Sequence, residues 1–433
     1  MHDVRELIES GPEAERRLAR RGHPLDLDAL RASQQRRLAA LGAVSGLRAE
    51  LKKTARGSER TQAVGAAGLT VPDLRERNRR LREQVQAAEA EAREASQELE
   101  RLLLTVPNLP SDDLPDGFSE KDAVEVRRVG PQRGSGPGLG RHHADLGEKL
   151  GALDSAAAAK LSGARFSVSR GSGALLERAL SSLLLDLHTQ EHGYTEYSVP
   201  HLVSRQTMTG TGQLPKFEKD LFATAVGGRE MFLIPTAEVP LTNLVAREVL
   251  DGRELPLALT ARSPCYRGEA GSYGRDTRGI LRLHQFEKVE LVRVCRAEDS
   301  GEQLELMLGH VEACLKRLEL SYRVVLLPAG DIAFSARKTY DVEVWLPGSD
   351  AYREISSVSD CGTFQGRRAG IRYRTAGGSR RTAATLNGSG LPIGRTVAAL
   401  LEQGQQQDGS VVLPEALAAY TGFHRLLPDG GVE

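Results

Sequence analysis

The first hundred residues place apolar side chains at the spacing of long helices. From Val71 to Leu102 two positions recur every seven residues, and nine of the ten are apolar: Val71, Asn78, Val85, Ala92 and Leu99, and Leu74, Leu81, Ala88, Ala95 and Leu102. An earlier stretch has matching intervals at Leu27, Leu30, Leu38, Leu41, Val44 and Leu51. The intervening "ARGSERTQAVGAAGLT" has the composition of a turn. The pattern predicts an antiparallel helical hairpin, here called the arm, over about residues 27–104.

Beyond residue 110 the pattern mixes helices with strands, after a boundary marked by Pro107, Pro110 and Pro115. An amphipathic helix is predicted over "GALLERALSSLLLDLHTQEHG". Strands are predicted over "YTEYSVP", "EMFLIPTAEVPL" and "YDVEVWLPG", and over "ARSPCYRGEA" and "ILRLHQFEKVELVRV" on either side of a glycine-rich loop. With 433 residues and roughly 100–200 residues per domain, we predict an α+β chain divided into domains 1–110 and 111–433.

The strand in "ILRLHQFEKVELVRV" carries charge and an aromatic ring on one side. Because successive strand side chains point to opposite faces, five residues share that side: Arg282, His284, Phe286, Lys288 and Glu290. The other side, predicted to face the core, has Leu281, Leu283, Val289 and Leu291. The pattern therefore predicts a half-buried strand that shows charge to the outside.

Charge narrows the choice of partners. Lys+Arg and Asp+Glu are 58 each, so no global field attracts a polyanion, and nucleic acid needs a local basic patch. The arm offers one, because ten basic residues stand against four acidic ones between Arg48 and Arg82, whereas residues 83–100 hold six Glu and only Arg93. The basic tip indicates a polyanion partner, and the alternative is the ordinary solvated surface of a coiled coil.

Other features favour a cytoplasmic protein. The N-terminus lacks an apolar run and is acidic, which argues against signal and transit peptides, and no run approaches the length of a membrane span. The four cysteines form no CxxC pair. We therefore expect buried, reduced thiols and no zinc site.

The glycine-rich loop and its flanking strands suggest a nucleotide site. Arg267, Arg275, Arg278 and Arg282 converge there, and planar guanidinium forks match phosphate oxygens. Phe286 offers a stacking surface for a planar base. Glu290 lies four residues on, about 13 Å along a strand, which is about the length from a nucleobase to the far end of an aminoacyl adenylate.

These residues belong to motifs that resemble a known family. "RGEAGSYGRDTRGILRLHQFEKVE" is similar to motif 2 of the class II aminoacyl-tRNA synthetases, and in detail to that of the seryl-tRNA synthetase family. "TLNGSGLPIGRTVAALLEQGQQQDGSVVLPEAL" resembles motif 3, and the helix ending in "YSVP" resembles motif 1. "TGTGQLPKF" and "PTAEVPLTN" resemble the serine-pocket segments, and "REISSVSDCGTFQGRR" resembles the ATP segment.

The resemblance implies an antiparallel class II β-sheet flanked by helices, preceded by the arm. It implies ATP and Mg²⁺ as cofactors, and serine, tRNA(Ser) and also tRNA(Sec) as substrates. It further implies a homodimer with no membrane association. The implied reaction joins serine to ATP as seryl-adenylate and transfers the seryl group to the 3′ end of tRNA.

The resemblance also implies a role for each matching residue. The serine-binding residues would be Thr236, Ala237, Glu238, Arg267, Glu290, Thr385, Asn387 and Ser389. The ATP-binding residues would be Arg267, Gly268, Glu269, Arg282, Leu283, Phe286, Arg353, Glu354, Ile355, Ser356, Ser357 and Arg395, of which Glu354 and Ser357 would coordinate Mg²⁺. On the arm, tRNA would meet Lys52, Lys53, Arg56, Arg75, Arg79 and Arg82.

Two alternatives remain open from the sequence. One is a related ligase that loads a carrier protein, which the arm argues against; the other is a noncatalytic binding protein, which the presence of Arg267, Glu290 and Arg395 argues against. The chain departs from the family pattern at Gly268, Asp360, Gly366 and Ala384. These departures remove no proposed catalytic group, but they raise the hypothesis of a specialised, inhibitor-tolerant duplicate with a reshaped pocket.

Overall fold

The computed structural model describes residues 1–64, 71–136, 138–269 and 278–433, with the backbone alone for residues 56–64, 71, 72 and 74. The chain divides into two compact units. Residues 2–19 and 23–107 form the first, and Met1 with residues 20–22 and 108–433 forms the second. In the described ranges, no helix is both long and apolar enough to cross a lipid bilayer.

The first unit consists of helices, with bounds α1 Val4–Glu9, α2 Gly11–Ala19, α3 Leu27–Val64 and α4 Val71–Thr105. Helices α3 and α4 are antiparallel, because ion pairs join Arg36 to Glu94 and Arg48 to Glu89. This confirms the predicted arm. Five of the ten residues predicted for the α4 seam are buried: Leu81, Val85, Ala92, Ala95 and Leu99.

The predicted seam of α3 was wrong at two leucines. Leu38 and Leu41 are 47% and 41% exposed, whereas the smaller Ala40 and Val44 pack against α4. The position along the helix decides which side chain faces the partner, because contacts follow the helical period and not the size of the residue.

The second unit is mixed α+β. Its helices are α5 His143–Lys149, α6 Ser155–Ser162, α7 Ser172–Asp186, α8 Arg205–Thr211, α9 Glu238–Asn243, α10 Ser300–Arg317, α11 Phe364–Ala369, α12 Ile393–Gln403 and α13 Glu415–Thr421. Its strands are β1 Val124–Val129, β2 Thr195–Glu196, β3 Leu202–Ser204, β4 Ala223–Val226, β5 Arg229–Leu233, β6 Val249–Asp251, β7 Leu257–Tyr266, β8 Gln285–Cys295, β9 Tyr322–Leu326, β10 Lys338–Leu346, β11 Ala351–Asp360, β12 Arg372–Arg374, β13 Arg380–Thr382, β14 Ala384–Pro392, β15 Val411–Val412 and β16 Arg425–Leu426.

Eight strands form one large sheet in the order β1-β9-β10-β11-β14-β8-β7-β2. Every neighbouring pair is antiparallel except β2 and β7, which are parallel. The main core lies where α7, α10 and α12 cover the sheet, and it includes the leucines predicted for α7. The class II sheet flanked by helices is thus the observed fold.

Two strand predictions need correction. The segment "EMFLIPTAEVPL" was predicted as one strand, but the strand ends at Leu233 and Glu238–Asn243 is a short helix. The strand predicted from Ile280 begins only at Gln285, so Arg282 and His284 lie in irregular chain. The strand is also not half-buried. From Lys288 to Cys295 it is buried on both faces, because β14 and β7 flank it and the core covers it.

Candidate active site

Three adjacent strands of the large sheet carry the predicted site. Phe286, Lys288 and Glu290 share one face of β8, and Ser389 of β14 lies directly opposite Glu290 in the antiparallel register. Arg267 follows the last residue of β7. These strands position their side chains on rigid backbone, so the site requires little ordering when a ligand binds.

A cleft open to solvent lies over these strands. It is lined by ten predicted residues or their neighbours that combine cations, carboxylates and one ring: Arg267, Glu269, Arg282, Leu283, Phe286, Lys288, Glu354, Ile355, Ser389 and Arg395. The structure thus brings together most of the predicted nucleotide-binding residues. Arg353, the next residue before Glu354 on β11, is exposed and does not belong to this lining.

Each arginine of the cleft is held by a specific partner. Arg267 donates from Nε to the carbonyl of Pro235 at 3.2 Å, and its guanidinium lies 5.2 Å from the centre of the Phe286 ring. Arg282 donates from Nε to Glu269 Oε2 at 2.6 Å. Such contacts fix the planar forks before a ligand arrives.

Arg395 lies in the first turn of α12, and its side chain bridges two other segments of the chain. It donates from Nε to the carbonyl of Leu281 at 3.0 Å and from Nη1 to the carbonyl of Glu354 at 2.8 Å. Its Nη1 also lies 3.2 Å from Glu354 Oε1. The guanidinium therefore has a fixed plane at the edge of the cleft, as a stacking partner for a base requires.

Glu290 is the most informative residue of the predicted serine site; it does not line the cleft itself, but it pairs with Lys288, which does. Its side chain is 1% exposed. Oε2 accepts a hydrogen bond from Thr236 Oγ1 at 2.6 Å and forms an ion pair with Lys288. Oε1 is buried and has no hydrogen-bond partner among the described residues. A buried carboxylate oxygen without a donor is costly, which points to a ligand that supplies one.

A second buried carboxyl group, Glu238, lies close to Glu290. Burial, and then the negative charge of Glu290, raises the pKa of Glu238 to about 7. Gln365 donates to Glu238 Oε1 at 2.7 Å, and Thr385 Oγ1 donates to Gln365 Oε1 at 2.6 Å. Predicted residues of β14 and α9 are therefore joined through Gln365. Near neutral pH this carboxyl is partly protonated.

The remaining predicted serine-site residues are also buried or hydrogen bonded. Ala237 is fully buried beside Thr236. Asn387 Oδ1 lies 3.7 Å from the Cys361 thiol, and the carbonyl of Ser389 accepts from Ser356 Oγ at 2.7 Å. All four cysteines are buried and unpaired by disulfides, as predicted.

A β-bulge in β11 places the predicted metal ligands on one face. Three residues apart, Glu354 and Ser357 would point to opposite sides of a regular strand. The register of β11 against β10 shifts between Val342 and Glu343, so Ile355 is an extra residue and Glu354 joins Ser357 on the side of Asp341. Carboxylate and hydroxyl oxygens are ligands that suit Mg²⁺, so this face fits that ion.

Asp341 adds an acidic group to the same face. Its Oδ1 has no hydrogen-bond partner in the part of the chain that the structure describes. Burial, followed by the charge of Glu354, raises its pKa well above the usual value. A divalent cation on this face would relieve that repulsion.

Sequence reasoning missed two residues of the site. Lys288 lines the cleft, and its ammonium forms an ion pair with Glu290. The signal for it was present, because alternation along β8 places Lys288 on the same face as Phe286 and Glu290. Gln365 comes from α11, and no local pattern signals that its amide would meet Glu238.

One described group has the side chains of a metal site, namely His142, His143 and Glu402. The amide of Ile280 donates to His143 Nε2 at 3.2 Å, so Nδ1 carries the proton that bonds Glu402 Oε1 at 2.6 Å. Glu402 Oε2 accepts from the amide of Gly348 at 2.7 Å. Since these donor atoms are already used, the group supports the chain beside the cleft.

The departures from the family pattern lie around the cleft. Asp360 is a buried partner of Arg337, whose Nε donates to Oδ2 at 2.8 Å. A methyl group at Gly366 would lie 2.2 Å from the carbonyl of Ala383, so this backbone packing requires glycine. At Gly268 it would meet the Asp220 backbone at 3.3 Å. None of these three residues lines the cleft.

Comparisons with known proteins agree on one family. The profile "Seryl-tRNA synthetase N-terminal domain" matches residues 1–110, and "tRNA synthetase class II core domain (G, H, P, S and T)" matches residues 222–404. "Serine--tRNA ligase 2" of Streptomyces avermitilis is 67% identical over 431 residues, covering 99% of both chains. "Serine--tRNA ligase" of Nitratidesulfovibrio vulgaris is 49% identical over 418 residues, 96% of this chain and 97% of that one.

Solved structures agree with the sequence comparisons. The crystal structure of seryl-tRNA synthetase from Pyrococcus horikoshii complexed with ATP has a TM-score of 0.84 at 32% identity, covering 99% of this chain and 100% of that one. A cytoplasmic serine-tRNA ligase from Naegleria fowleri in complex with AMP has a TM-score of 0.84 at 25% identity, covering 99% of both chains.

Proposed function

Because this chain belongs to the seryl-tRNA synthetases and is a class II serine–tRNA ligase, we propose that its cleft forms seryl-adenylate from serine and ATP. The single observation that carries this assignment is the buried Oε1 of Glu290, which has no hydrogen-bond partner among the described residues and lies next to an open cleft with fixed arginines. An ammonium and a hydroxyl group are the donors that such an oxygen needs.

The nucleotide would occupy the part of the cleft lined by arginines. Phe286 and Arg395 sandwich the adenine ring, Glu269 meets its edge, and Arg267 binds the α-phosphate. Arg282 and Arg353 hold the outer phosphates. Gly268, Leu283, Ile355 and Ser356 contribute contacts from the chain around these side chains. For Arg267, Glu269, Arg282, Leu283, Phe286, Ile355 and Arg395 the support is the shared lining and the fixed geometry of the arginines. The roles of Arg353, Gly268 and Ser356, which do not line the cleft, rest on the family motifs alone.

Serine would bind at the end of the cleft where Glu290 is buried. Its ammonium and hydroxyl groups bond Glu290 and Thr236, with Ala237, Glu238, Thr385, Asn387 and Ser389 completing the pocket. Arg267 holds the serine carboxylate. One carboxylate oxygen attacks the α-phosphorus, the new P–O bond forms in line with the bond that breaks, and pyrophosphate leaves with the electron pair. No side chain is a nucleophile, so positioning and cationic charge supply the catalysis.

Magnesium would be held by Glu354 and Ser357 on the bulged face of β11. When bound, the ion neutralises charge on the phosphates of ATP. Arg395 holds Glu354 in place, because its Nη1 contacts both the carbonyl and the carboxylate of that residue.

The pH dependence of serine binding follows from Glu238. A bound ammonium stabilises the ionised carboxylate, so binding is linked to loss of its proton, whose pKa is about 7 in the free site. We expect the KM for serine to fall roughly tenfold from pH 6 to pH 8. The KM for serine at each pH is measured by serine-dependent ATP–pyrophosphate exchange. In Glu238→Gln the dependence should disappear, and its persistence there would contradict this assignment.

We propose that the seryl group then passes to the terminal adenosine of tRNA(Ser), and also of tRNA(Sec), with the arm as the grip on tRNA. Lys52, Lys53, Arg75 and Arg82 are exposed and have no carboxylate within 4 Å among the described residues, whereas Arg79 pairs with Glu76 and Glu83. The side chain of Arg56 lies outside the described residues.

Replacing Lys52, Lys53, Arg75 and Arg82 with Gln should raise the KM for tRNA at least tenfold and flatten its dependence on salt, because fewer counterions are released. The rate of serine-dependent ATP–pyrophosphate exchange, measured without tRNA, should stay unchanged. The matched control replaces four arm arginines that already have carboxylate partners, namely Arg31, Arg36, Arg48 and Arg101. Equal losses in both variants would refute the arm assignment.

The domain division at residues 110 and 111, a homodimer and a cytoplasmic location remain part of this proposal. The short strand β2 at the end of the large sheet, with Tyr197 and Leu202 exposed nearby, supports an interface there. The hypothesis of an inhibitor-tolerant duplicate also stays open, and inhibition by a nonhydrolysable seryl-adenylate mimic would test it.

The decisive experiment combines two assays on the full chain. Serine should support ATP–pyrophosphate exchange, and serine should become attached to tRNA(Ser). Exchange without charging of tRNA would favour a carrier-protein ligase. Absence of serine-dependent exchange would contradict the assigned cleft.

A further inference from the structure

We propose that the hairpin of β12 and β13 binds phosphates of the tRNA, through an arginine face made of Arg372, Arg374 and Arg380. This inference rests on the proposed function, and it places a contact on the second unit, separately from the arm. The three side chains are exposed. In the register of the hairpin Arg374 lies opposite Arg380, and Arg372 is two residues from Arg374, so all three point to the same side.

The buried side of the hairpin supplies its packing, so the fold does not depend on these arginines. Ile371, Tyr373 and Ala383 are buried in a core cluster with α9 and β7. Alternation then forces the residues between them toward solvent. Stability requires only polar side chains there, and nothing in the packing demands three cations.

The arginine face instead carries a cost. Like charges directly opposite each other across two strands destabilise the pair, and Arg374 and Arg380 have that relation. The nearest acid in the register is Asp251 on β6, opposite Arg374. Both of its oxygens already accept from Arg253, at 2.6 Å for Nη2 to Oδ2 and 3.1 Å for Nε to Oδ1. A polyanion would relieve the remaining repulsion.

The arginine face brings together three arginines without ion pairs to described residues. Within the described residues, no carboxylate lies within 4 Å of Arg372, Arg374 or Arg380. Some exposed arginines elsewhere have partners, as Arg133 has Glu319 and Arg317 has Glu191, whereas Arg178 and Arg229 are exposed single arginines with no carboxylate within 4 Å among the described residues. Arg381, on the inward side of the same hairpin, reaches Glu298 at 3.8 Å. The face therefore differs from these single arginines because it groups three arginines, unpaired in the described ranges, on one side of a hairpin.

The connection to the cleft identifies the polyanion. β13 ends at Thr382 and β14 begins at Ala384, so Thr385 of the proposed serine pocket follows the hairpin by three residues. ATP has its own arginines in the cleft. The larger anion that must bring its end to this pocket is tRNA. Arg372 and Arg374 have Cα atoms about 6.6 Å apart along β12, Arg380 lies opposite Arg374, and guanidinium forks match phosphate oxygens.

The test uses the full chain with Arg372, Arg374 and Arg380 all replaced by Gln. We expect the KM for tRNA(Ser) to rise at least tenfold. The slope of log(kcat/KM) against log salt should become shallower by about 2–3, since each lost phosphate contact removes roughly 0.7–0.9. ATP–pyrophosphate exchange should stay within about twofold of wild type, because the face binds neither serine nor ATP.

Two further variants separate specific contact from general charge and from misfolding. The control replaces Arg133, Arg170 and Arg317 with Gln, the same change of charge at paired arginines, and should leave the KM for tRNA unchanged. Replacement of the arginine face with Lys keeps the charge and should retain most of the affinity. An unchanged KM in the Gln triple, an equal loss in the control, or an equal loss in the Lys triple would overturn the proposal. A wild-type chain that fails to charge tRNA would instead refute the proposed function.

Discussion

Glu290→Gln is expected to lower kcat/KM for serine in ATP–pyrophosphate exchange by roughly a thousandfold, about 4 kcal/mol. The amide removes the negative charge that an ammonium requires. It also leaves the buried ammonium of Lys288 without its partner, and it presents an NH₂ group where the Thr236 hydroxyl and a ligand need an acceptor. The KM for ATP should change far less, because Glu290 lies away from the arginines of the nucleotide half.

Glu287→Gln is the matched control for that prediction. Glu287 lies on the same strand and pairs with Arg262 at the surface, and its side chain is 40% exposed. Its replacement should therefore change the activation free energy for serine by no more than a few tenths of a kcal/mol. If Glu290→Gln retained wild-type serine kinetics, Glu290 would not be the serine ligand. A fall in ATP affinity with unchanged serine affinity would place the amino acid elsewhere.

Arg267→Ala is expected to reduce kcat for adenylate formation by about 10²–10³, or roughly 3–4 kcal/mol. In the proposed arrangement its guanidinium faces the phosphorus at which charge develops, while binding of adenine depends on other residues. The loss should therefore fall on kcat more than on the KM for ATP. Arg267→Lys should recover little, because a single ammonium cannot bond two oxygens in the plane of a fork.

Arg262→Ala tests whether any arginine of β7 has this effect. Arg262 lies five residues before Arg267, pairs with Glu287 and is 41% exposed. Its replacement should leave single-turnover adenylate formation unchanged. Equal kcat for the Arg267→Ala variant and wild type in rapid-quench measurements would remove Arg267 from the reaction.

Local repeats predicted much of the architecture. The seven-residue pattern predicted α4, and apolar residues at sums of three and four predicted α3. The turn between them predicted their antiparallel pairing, and the prolines after Thr105 predicted the end of α4. Period-two alternation placed Phe286 and Glu290 on one face of β8. Such patterns are readable because the helical and strand periods follow from the backbone alone.

Long-range contacts decided what those patterns left open. Leu38 and Leu41 are exposed because the pairing of the arm selects other positions, and β8 is buried on both faces because two strands flank it. The bulge that joins Glu354 to Ser357 exists only relative to β10. No window of sequence contains both partners of these contacts.

The chain by itself therefore determined the family, the two kinds of architecture and the residue types of the site, because each depends on motifs within a few tens of residues. Only the tertiary structure decided that Glu290 keeps one oxygen without a hydrogen bond to any described residue and that the pKa of Glu238 is raised to about 7. It also decided that three arginines lie on one side of a hairpin with no ion-pair partner among the described residues. Hydrogen bonding, desolvation and Coulomb energy depend on distances through space, and those distances join residues that are far apart in the chain.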